Sequence, residues 1–164
     1  MNSLEIENQI TDAIRAIPDQ FPNGARDTLW TRAIKSSLGY LGRSSGYSVC
    51  TSGMREHFDG AWLYDLCWYE CTREDQFLNM PLALESEWKR GYADIKYDFE
   101  KLLVAKAKIK VMIFQASGAS AVEYLDRLER GIRVYQGGSA GEVYLLACFD
   151  EASWKFKIRR VEGA

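Results

Sequence analysis

The 164-residue sequence has no long apolar run and no excess of charge of one sign. Charged residues interrupt each apolar stretch well before the roughly 20 residues that a membrane-spanning helix needs. Lys and Arg number 21 and Asp and Glu number 23, which gives a formal net charge of -2. The chain therefore lacks the overall excess of positive charge that is typical of many nucleic-acid-binding proteins. Any binding site for a polyanion has to be formed by a local group of basic residues.

Histidine is also scarce, and the N-terminal segment does not resemble a secretory signal. The single histidine, His57, has neither an HExxH motif nor a Cys-x-x-Cys neighbour, which argues against a zinc site. The N-terminal segment MNSLEIENQITDAIRAI is acidic and amphipathic and lacks the basic and apolar regions of a secretory signal. We therefore expect a cytoplasmic protein with no membrane partner, in which the four cysteines are ordinary thiols.

Apolar and aromatic residues, by contrast, are abundant. They make up 47% and 13% of the chain, enough to build the core of one domain. We predict a single domain over 1–164, with N-terminal helices in 1–45 and the remaining core in 46–164.

Hydrophobic periodicity predicts an α/β protein. The predicted helices cover 6–17, 25–41, 91–106 and 119–135. The predicted strands cover 46–54, 61–70, 81–88, 109–115, 142–150 and 153–161, with a polar loop at 71–80. Because parallel neighbours need a crossover connection, this order indicates a single central mixed β-sheet flanked by helices.

Three carboxylates stand out in the two apolar strands that precede the third helix. Asp65 lies within AWLYDLCWYE, and Glu85 and Glu87 end PLALESEW. Residues i and i+2 of a strand point to the same face, so Glu85 and Glu87 project together and can converge with Asp65 if the strands pair. Burying carboxylates is costly unless they are paired or bind a cation, and Mg²⁺ or Mn²⁺ prefers oxygen ligands.

The motifs WLYDL, ALESEW and DFEKLL, in this element order, resemble the PD-(D/E)XK (restriction-endonuclease-like) nuclease superfamily. The resemblance implies an α-β-β-β-α-β-α-β core over 46–164 in which Asp65 and Glu85 bind Mg²⁺ or Mn²⁺. Glu87 then occupies the position that usually holds lysine, which is the ExE variant. Lys101, three residues after Asp98 on the following helix, is a candidate for the missing cation.

The superfamily often has a further acid on the helix that precedes the sheet. Glu5, Glu7, Asp12 and Asp27 all compete for this role, and the sequence leaves the choice open.

The resemblance implies a metal-dependent nuclease that hydrolyses phosphodiester bonds, with DNA favoured over RNA as the substrate. Without a separate DNA-reading domain, affinity would come from a homodimer, a partner subunit or local basic rows. The alternatives are an inactive nuclease-like scaffold, an immunity- or inhibitor-type interaction domain, and a sugar hydrolase using Asp65 and Glu85 as acid and base. The three acids can also have purely structural roles. Glu85 and Glu87 can lie at the solvated end of a strand, and Asp65 can form an ion pair with an arginine.

The final strand, SWKFKIRRV, alternates apolar and cationic side chains, so that one face is a row of positive charge. The row comprises Lys155, Lys157 and Arg159. Such a row suits contact with phosphates, and it equally suits the protection of an edge strand against aggregation.

Overall fold

The computed structural model describes residues 3–21, 24–60, 62–151 and 153–163. The chain divides into two compact units, Met1–Trp68 and Tyr69–Ala164, here called the N-terminal and C-terminal units. The prediction of one domain over 1–164 stays a prediction. In the part of the chain that the structure describes, no helix is long and apolar enough to cross a membrane.

The element order agrees with the order expected from the sequence. The helices are α1 (Ser3–Arg15), α2 (Asp27–Ser44), α3 (Tyr92–Val104) and α4 (Ala119–Val134), with a 3₁₀ turn at Pro18–Gln20. The strands are β1 (Ser48–Thr51), β2 (Leu66–Cys71), β3 (Phe77–Glu87), β4 (Ala107–Gln115), β5 (Val143–Asp150) and β6 (Ser153–Arg160). They form one six-stranded sheet in the order β1-β2-β3-β4-β5-β6. The α/β class and the single mixed sheet flanked by helices are therefore confirmed.

The N-terminal unit contains α1, α2, β1 and the beginning of β2, with the unit boundary inside β2. The indole of Trp68 in β2 donates a hydrogen bond to the Leu38 carbonyl of α2 at 3.0 Å. A Cβ at Gly42 would lie 2.5 Å from the indole nitrogen, so the helix needs glycine here for close approach. Gly42 therefore does not end α2, which continues to Ser44.

The predicted strand at 61–70 is wrong in its first half. Ala61 lies outside the described residues, and β2 begins only at Leu66. Trp62 and Leu63 are 49% and 66% exposed, so the apolar composition of this segment does not reflect burial. Asp65 consequently precedes the strand instead of lying in its middle. The predicted loop at 71–80 is also too long, because β3 already begins at Phe77.

In the C-terminal unit, β3, β4 and β5 are parallel and β6 runs antiparallel to β5. Most residues of β4 and β5 are buried, as expected for central strands. The carboxyl ends of the three parallel strands, at Glu87, Gln115 and Asp150, meet at one edge of the sheet.

Both crossover helices of this unit pack on the same sheet face. Phe99 of α3 contacts the Tyr144 ring of β5 with 6.4 Å between centroids, and Lys157 of β6 reaches Asp126 of α4. Register places Tyr144 and Lys157 on one side of the sheet. Two successive right-handed crossovers that advance in one direction put their helices on one side, which explains this arrangement.

Candidate functional site

Asp65 belongs to a polar cluster in the N-terminal unit. Its Oδ1 lies 3.1 Å from Nζ of Lys35 and accepts a hydrogen bond from the Ser52 hydroxyl at 3.3 Å. Lys35 also donates to Ser52 Oγ. The Lys35 side chain is only 7% exposed and that of Asp65 is 25% exposed. A lysine, and not the arginine considered from the sequence, therefore balances the charge of Asp65.

Lys35 was not singled out by the sequence. It lies on α2 directly after the buried Ile34, and the residue is 6% exposed. The only sign in the sequence that Lys35 is buried is its position beside the apolar stripe of an amphipathic helix. Many lysines share this position, because lysine stems often cover apolar surface. A cleft of about 570 Å³ opens beside Lys35, between α2 and the turn at Ser52.

Glu85 belongs to a second polar cluster, in the C-terminal unit. The residue is 2% exposed and lies near the carboxyl end of β3, on the sheet face covered by α3. Lys101 Nζ of α3 is 2.7 Å from Glu85 Oε1 and 3.0 Å from Asp98 Oδ1. The structure thus brings Glu85 and Lys101 together and places Asp98 with them.

The environment of Lys101 keeps the ammonium charged. Burial alone lowers its pKa, but the hydrogen bonds to Glu85 and Asp98, together with their negative charges, outweigh burial and raise the pKa to about 12. Lys101 is therefore a hydrogen-bond donor and a fixed positive charge at neutral pH, and it is not a general base.

Glu87 lies two residues after Glu85 at the end of β3 and is half-buried. Its carboxylate accepts the backbone N–H of Lys89 at 2.8 Å. Glu87 makes no ion pair within the described residues, so one of its acceptor positions is open to further donors.

The two predicted metal ligands lie in different units, and each has its own lysine. Among the residues that the structure describes, no group of three or more His, Cys, Asp or Glu side chains has the arrangement of a metal site.

Burial distinguishes the four acids proposed for the N-terminal helices. Glu7 is 1% exposed, whereas Glu5, Asp12 and Asp27 are exposed. Glu7 lies on α1 between the buried residues Ile6 and Ile10. Glu7 is therefore the buried acid among the four candidates, and the other three are solvated side chains.

The cationic row of β6 is largely paired. Lys155 contacts Asp150, and Lys157 contacts Asp126 at 2.5 Å and Glu129 at 2.9 Å. Hydrogen bonds from Lys157, and then from Arg133, lower the pKa of Glu129 to about 2. The two contacts of Lys157 attach the edge strand to α4, whereas Lys155 pairs with the neighbouring strand β5.

A buried ion pair between Lys110 of β4 and Glu142, the residue before β5, was missed in the sequence, where Lys110 reads as part of a solvated row with Lys106 and Lys108. Lys110 is 1% exposed and donates to Glu142 at 2.7 Å and to the Tyr144 hydroxyl at 2.9 Å. Burial lowers its pKa against the opposing effect of Glu142. Only Lys110 is buried, because it lies farther along the strand, under the end of α3.

No protein-family model, curated protein or solved structure matches this chain. The restriction-endonuclease-like core and the nuclease family therefore stay predictions that rest on the motifs WLYDL, ALESEW and DFEKLL.

Proposed function

We propose that this protein is a metal-dependent nuclease-like hydrolase that cleaves phosphodiester bonds in nucleic acid, with DNA favoured over RNA. The supporting observation is the buried Glu85 carboxylate near the carboxyl end of β3, joined through Lys101 to Asp98. Burying a carboxylate is costly, and clusters of buried ionisable groups concentrate at functional sites. The carboxyl ends of parallel strands are also where α/β proteins bind ligands.

The chemistry of this cluster fits a cation. The Lys101 ammonium lies within 3.0 Å of carboxylate oxygens of both Glu85 and Asp98, so positive charge is already favoured at that point. Carboxylate oxygens are the ligands that Mg²⁺ and Mn²⁺ prefer. Glu85 would hold the ion, which would supply Lewis-acid charge to the phosphate oxygens. The sequence motif adds Asp65 to the proposed ligands.

Two further residues receive roles from their environment. Lys101, with a pKa of about 12, would remain protonated and stabilise the negative charge that develops on the phosphate. Glu87 would orient the attacking water and accept its proton, since its carboxylate makes no ion pair among the described residues.

The test compares wild type with Glu85→Gln, Lys101→Met and a matched control, Glu100→Gln, whose carboxylate on the same helix is exposed and pairs with Lys96. Mn²⁺ binding is measured by calorimetry, and cleavage is measured on plasmid DNA and structured RNA. We expect Glu85→Gln to lose metal binding and to cleave at least about a hundredfold more slowly. The Glu100→Gln variant should match wild type.

Lys101→Met separates the two roles of the cluster. Without the ammonium, Glu85 should bind Mn²⁺ more tightly, because the lysine no longer competes, while cleavage should slow. A wild-type protein that neither binds Mn²⁺ nor cleaves either nucleic acid would contradict the proposal.

One observation favours a second candidate, the inactive scaffold or immunity-type interaction domain. Lys35 and Lys101 already balance Asp65 and Glu85, so neither carboxylate requires a metal ion for charge compensation. Under this alternative, Lys101→Met lowers stability and confers no Mn²⁺ binding. The same calorimetric titration therefore distinguishes the two candidates.

A further inference from the structure

We infer that Cys50 and Cys67 of the N-terminal unit form a redox-active pair, which hydrogen peroxide converts reversibly to a disulfide. Cys50 lies in β1 and Cys67 lies in β2, and both are free thiols in this structure. The proposed nuclease function assigns no role to either thiol, and the buried carboxylate that supports it lies in the other unit. The inference therefore does not rest on that function.

The pairing of β1 with β2 places the two cysteines opposite each other. The strands are neighbours in the sheet, and the backbone N–H of Ser52 donates to the Asp65 carbonyl at 3.1 Å. Cys50 comes two residues before Ser52, and Cys67 comes two residues after Asp65, so an antiparallel ladder aligns the cysteines. Opposed residues have Cα atoms about 4.5–5.5 Å apart, within the roughly 4.4–6.8 Å that a disulfide spans.

The environment of the Cys67 thiol shows that the two sulfur atoms are close neighbours. Burial, and then the charge of the Cys50 side chain and a hydrogen bond with it, raise the pKa of the Cys67 thiol to about 12. A parallel alignment through Ser52 and Asp65 would bring Leu63, and not Cys67, beside Cys50. The interaction between the thiols therefore supports the antiparallel register.

The backbone around Cys50 is also held on the other edge of β1. Asp59 donates its N–H to the Val49 carbonyl at 3.0 Å and accepts the N–H of Thr51 at 3.1 Å. With β2 on one side and Asp59 on the other, the strand keeps Cys50 facing Cys67. A disulfide between them needs no rearrangement of the chain.

The two thiols differ in exposure, and this difference assigns their roles. Cys50 is half-buried, whereas Cys67 is fully buried, so a small oxidant reaches Cys50 first. Cys67 keeps its proton at neutral pH because of its raised pKa, so it is a poor nucleophile toward peroxide. Cys50 is therefore the thiol that is oxidised, and Cys67 is the thiol that completes the disulfide.

The reaction balances over two steps. The Cys50 thiolate attacks hydrogen peroxide, the O–O bond breaks, and a sulfenic acid forms while the departing hydroxide takes up the Cys50 proton. The Cys67 sulfur then bonds to the Cys50 sulfur, and the Cys67 proton leaves with the hydroxyl group as water. In total, two thiols lose two electrons and one peroxide is reduced to two molecules of water. A dithiol reductant reverses the reaction by thiol–disulfide exchange.

The experiment uses the full chain with Cys71→Ser as the starting variant. Trypsin cleaves after Arg55 and so separates Cys50 from Cys67, but both Cys67 and Cys71 lie on the peptide that ends at Arg73. Removing Cys71 therefore makes the assignment of a linked peptide unambiguous. Reduced protein, either folded or in urea, is treated with hydrogen peroxide at neutral pH and blocked with N-ethylmaleimide, and its peptides 44–55 and 56–73 are analysed by mass spectrometry.

We expect the folded protein to form the Cys50–Cys67 link at least about tenfold faster than the unfolded chain, because the fold holds the two sulfurs together. Dithiothreitol should restore both thiols. In the same background, Cys67→Ala should accumulate a sulfenic acid at Cys50 that dimedone traps, whereas Cys50→Ala should leave Cys67 reduced. Circular dichroism establishes that each variant folds.

Oxidation should also raise the midpoint of thermal unfolding by several degrees, because the link restricts the unfolded chain. Cys67→Ala, treated in the same way, should show no such rise. Folded protein that forms no link between Cys50 and Cys67, or forms it no faster than in urea, overturns the inference. Peroxide that yields only a disulfide between two chains overturns it as well.

Discussion

At the scale of single residues, the pair of Lys35 and Asp65 contributes to the stability of the N-terminal unit. Asp65→Asn leaves the ammonium of Lys35 buried, with Ser52 but no carboxylate. We expect the free energy of unfolding to fall by about 2 kcal/mol, less than for a fully buried pair because Asp65 is 25% exposed. Urea denaturation measures this change.

The double variant Lys35→Met/Asp65→Asn is the control for this prediction. Removing both charges relieves the uncompensated ammonium, so most of the lost stability should return. If the double variant is as unstable as the sum of the two single variants, the charge pair is not the cause. The double variant also serves the nuclease test, because it restores stability without restoring a metal ligand.

The same pair shows what the sequence can reveal about the candidate site. Asp65 and Glu85 are recognisable because an acid within an apolar segment is unusual. Their partners Lys35 and Lys101 come from helices elsewhere in the chain, and only the folded structure determines which cation each acid meets. Lys101 was proposed because it lies three residues after Asp98 on the helix that follows the acidic strand, whereas nothing in the sequence linked Lys35 to Asp65.

At the scale of secondary structure, helices were predicted more accurately than strands. The helical stripes extend over several turns, and α3 and α4 end within a few residues of their predicted bounds. Strand patterns are short, so exposed apolar residues such as Trp62 and Leu63 imitate a buried strand. The opposite error occurs at the beginning of β3. Phe77 and Leu78 belong to the strand although they are exposed, and the sequence pattern placed them in a loop.

The attachment of β6 to α4 through Glu129 leads to a prediction about pH. The pKa of Glu129 is about 2, below its usual value of 4.5, because Lys157 and Arg133 hydrogen-bond to the charged form. A lowered carboxyl pKa stabilises the folded protein above pH 4.5, and this contribution disappears as the pH falls from 4.5 to 2. Glu129→Gln should therefore lower stability by about 1 kcal/mol at pH 6 and by little at pH 2.

Urea denaturation of wild type and variant across this pH range measures the difference. Glu123→Gln is the control, because its pair with Arg127 on the same helix is largely exposed and does not join α4 to β6. A Glu129→Gln effect that stays constant from pH 6 to pH 2 would show that the carboxylate charge is not involved.

At the scale of the whole molecule, hydrophobic patterning was sufficient to predict the α/β class and the order of elements. The division of the chain at Trp68 and Tyr69 was not predicted. It falls inside β2, where no linker, proline or change in composition marks a boundary. Such a boundary depends on which elements pack together, and periodicity along the chain contains no information on that packing.

The burial of the central strands predicts how stability is distributed along the chain. β4 and β5 of the C-terminal unit are mostly buried, whereas residues 62–65 form no regular element and include the exposed Trp62 and Leu63. Amides of central strands exchange only in large-scale opening, while irregular segments exchange through local fluctuations. We expect amide exchange, measured by mass spectrometry, to be more than about a thousandfold slower in 107–115 and 143–150 than in 62–65. The edge strand β6 should fall between them, since one of its sides has no neighbouring strand. Exchange in β4 as fast as in β6 would mean that the parallel strands open together with the edge, and that they are not the stable centre of this unit.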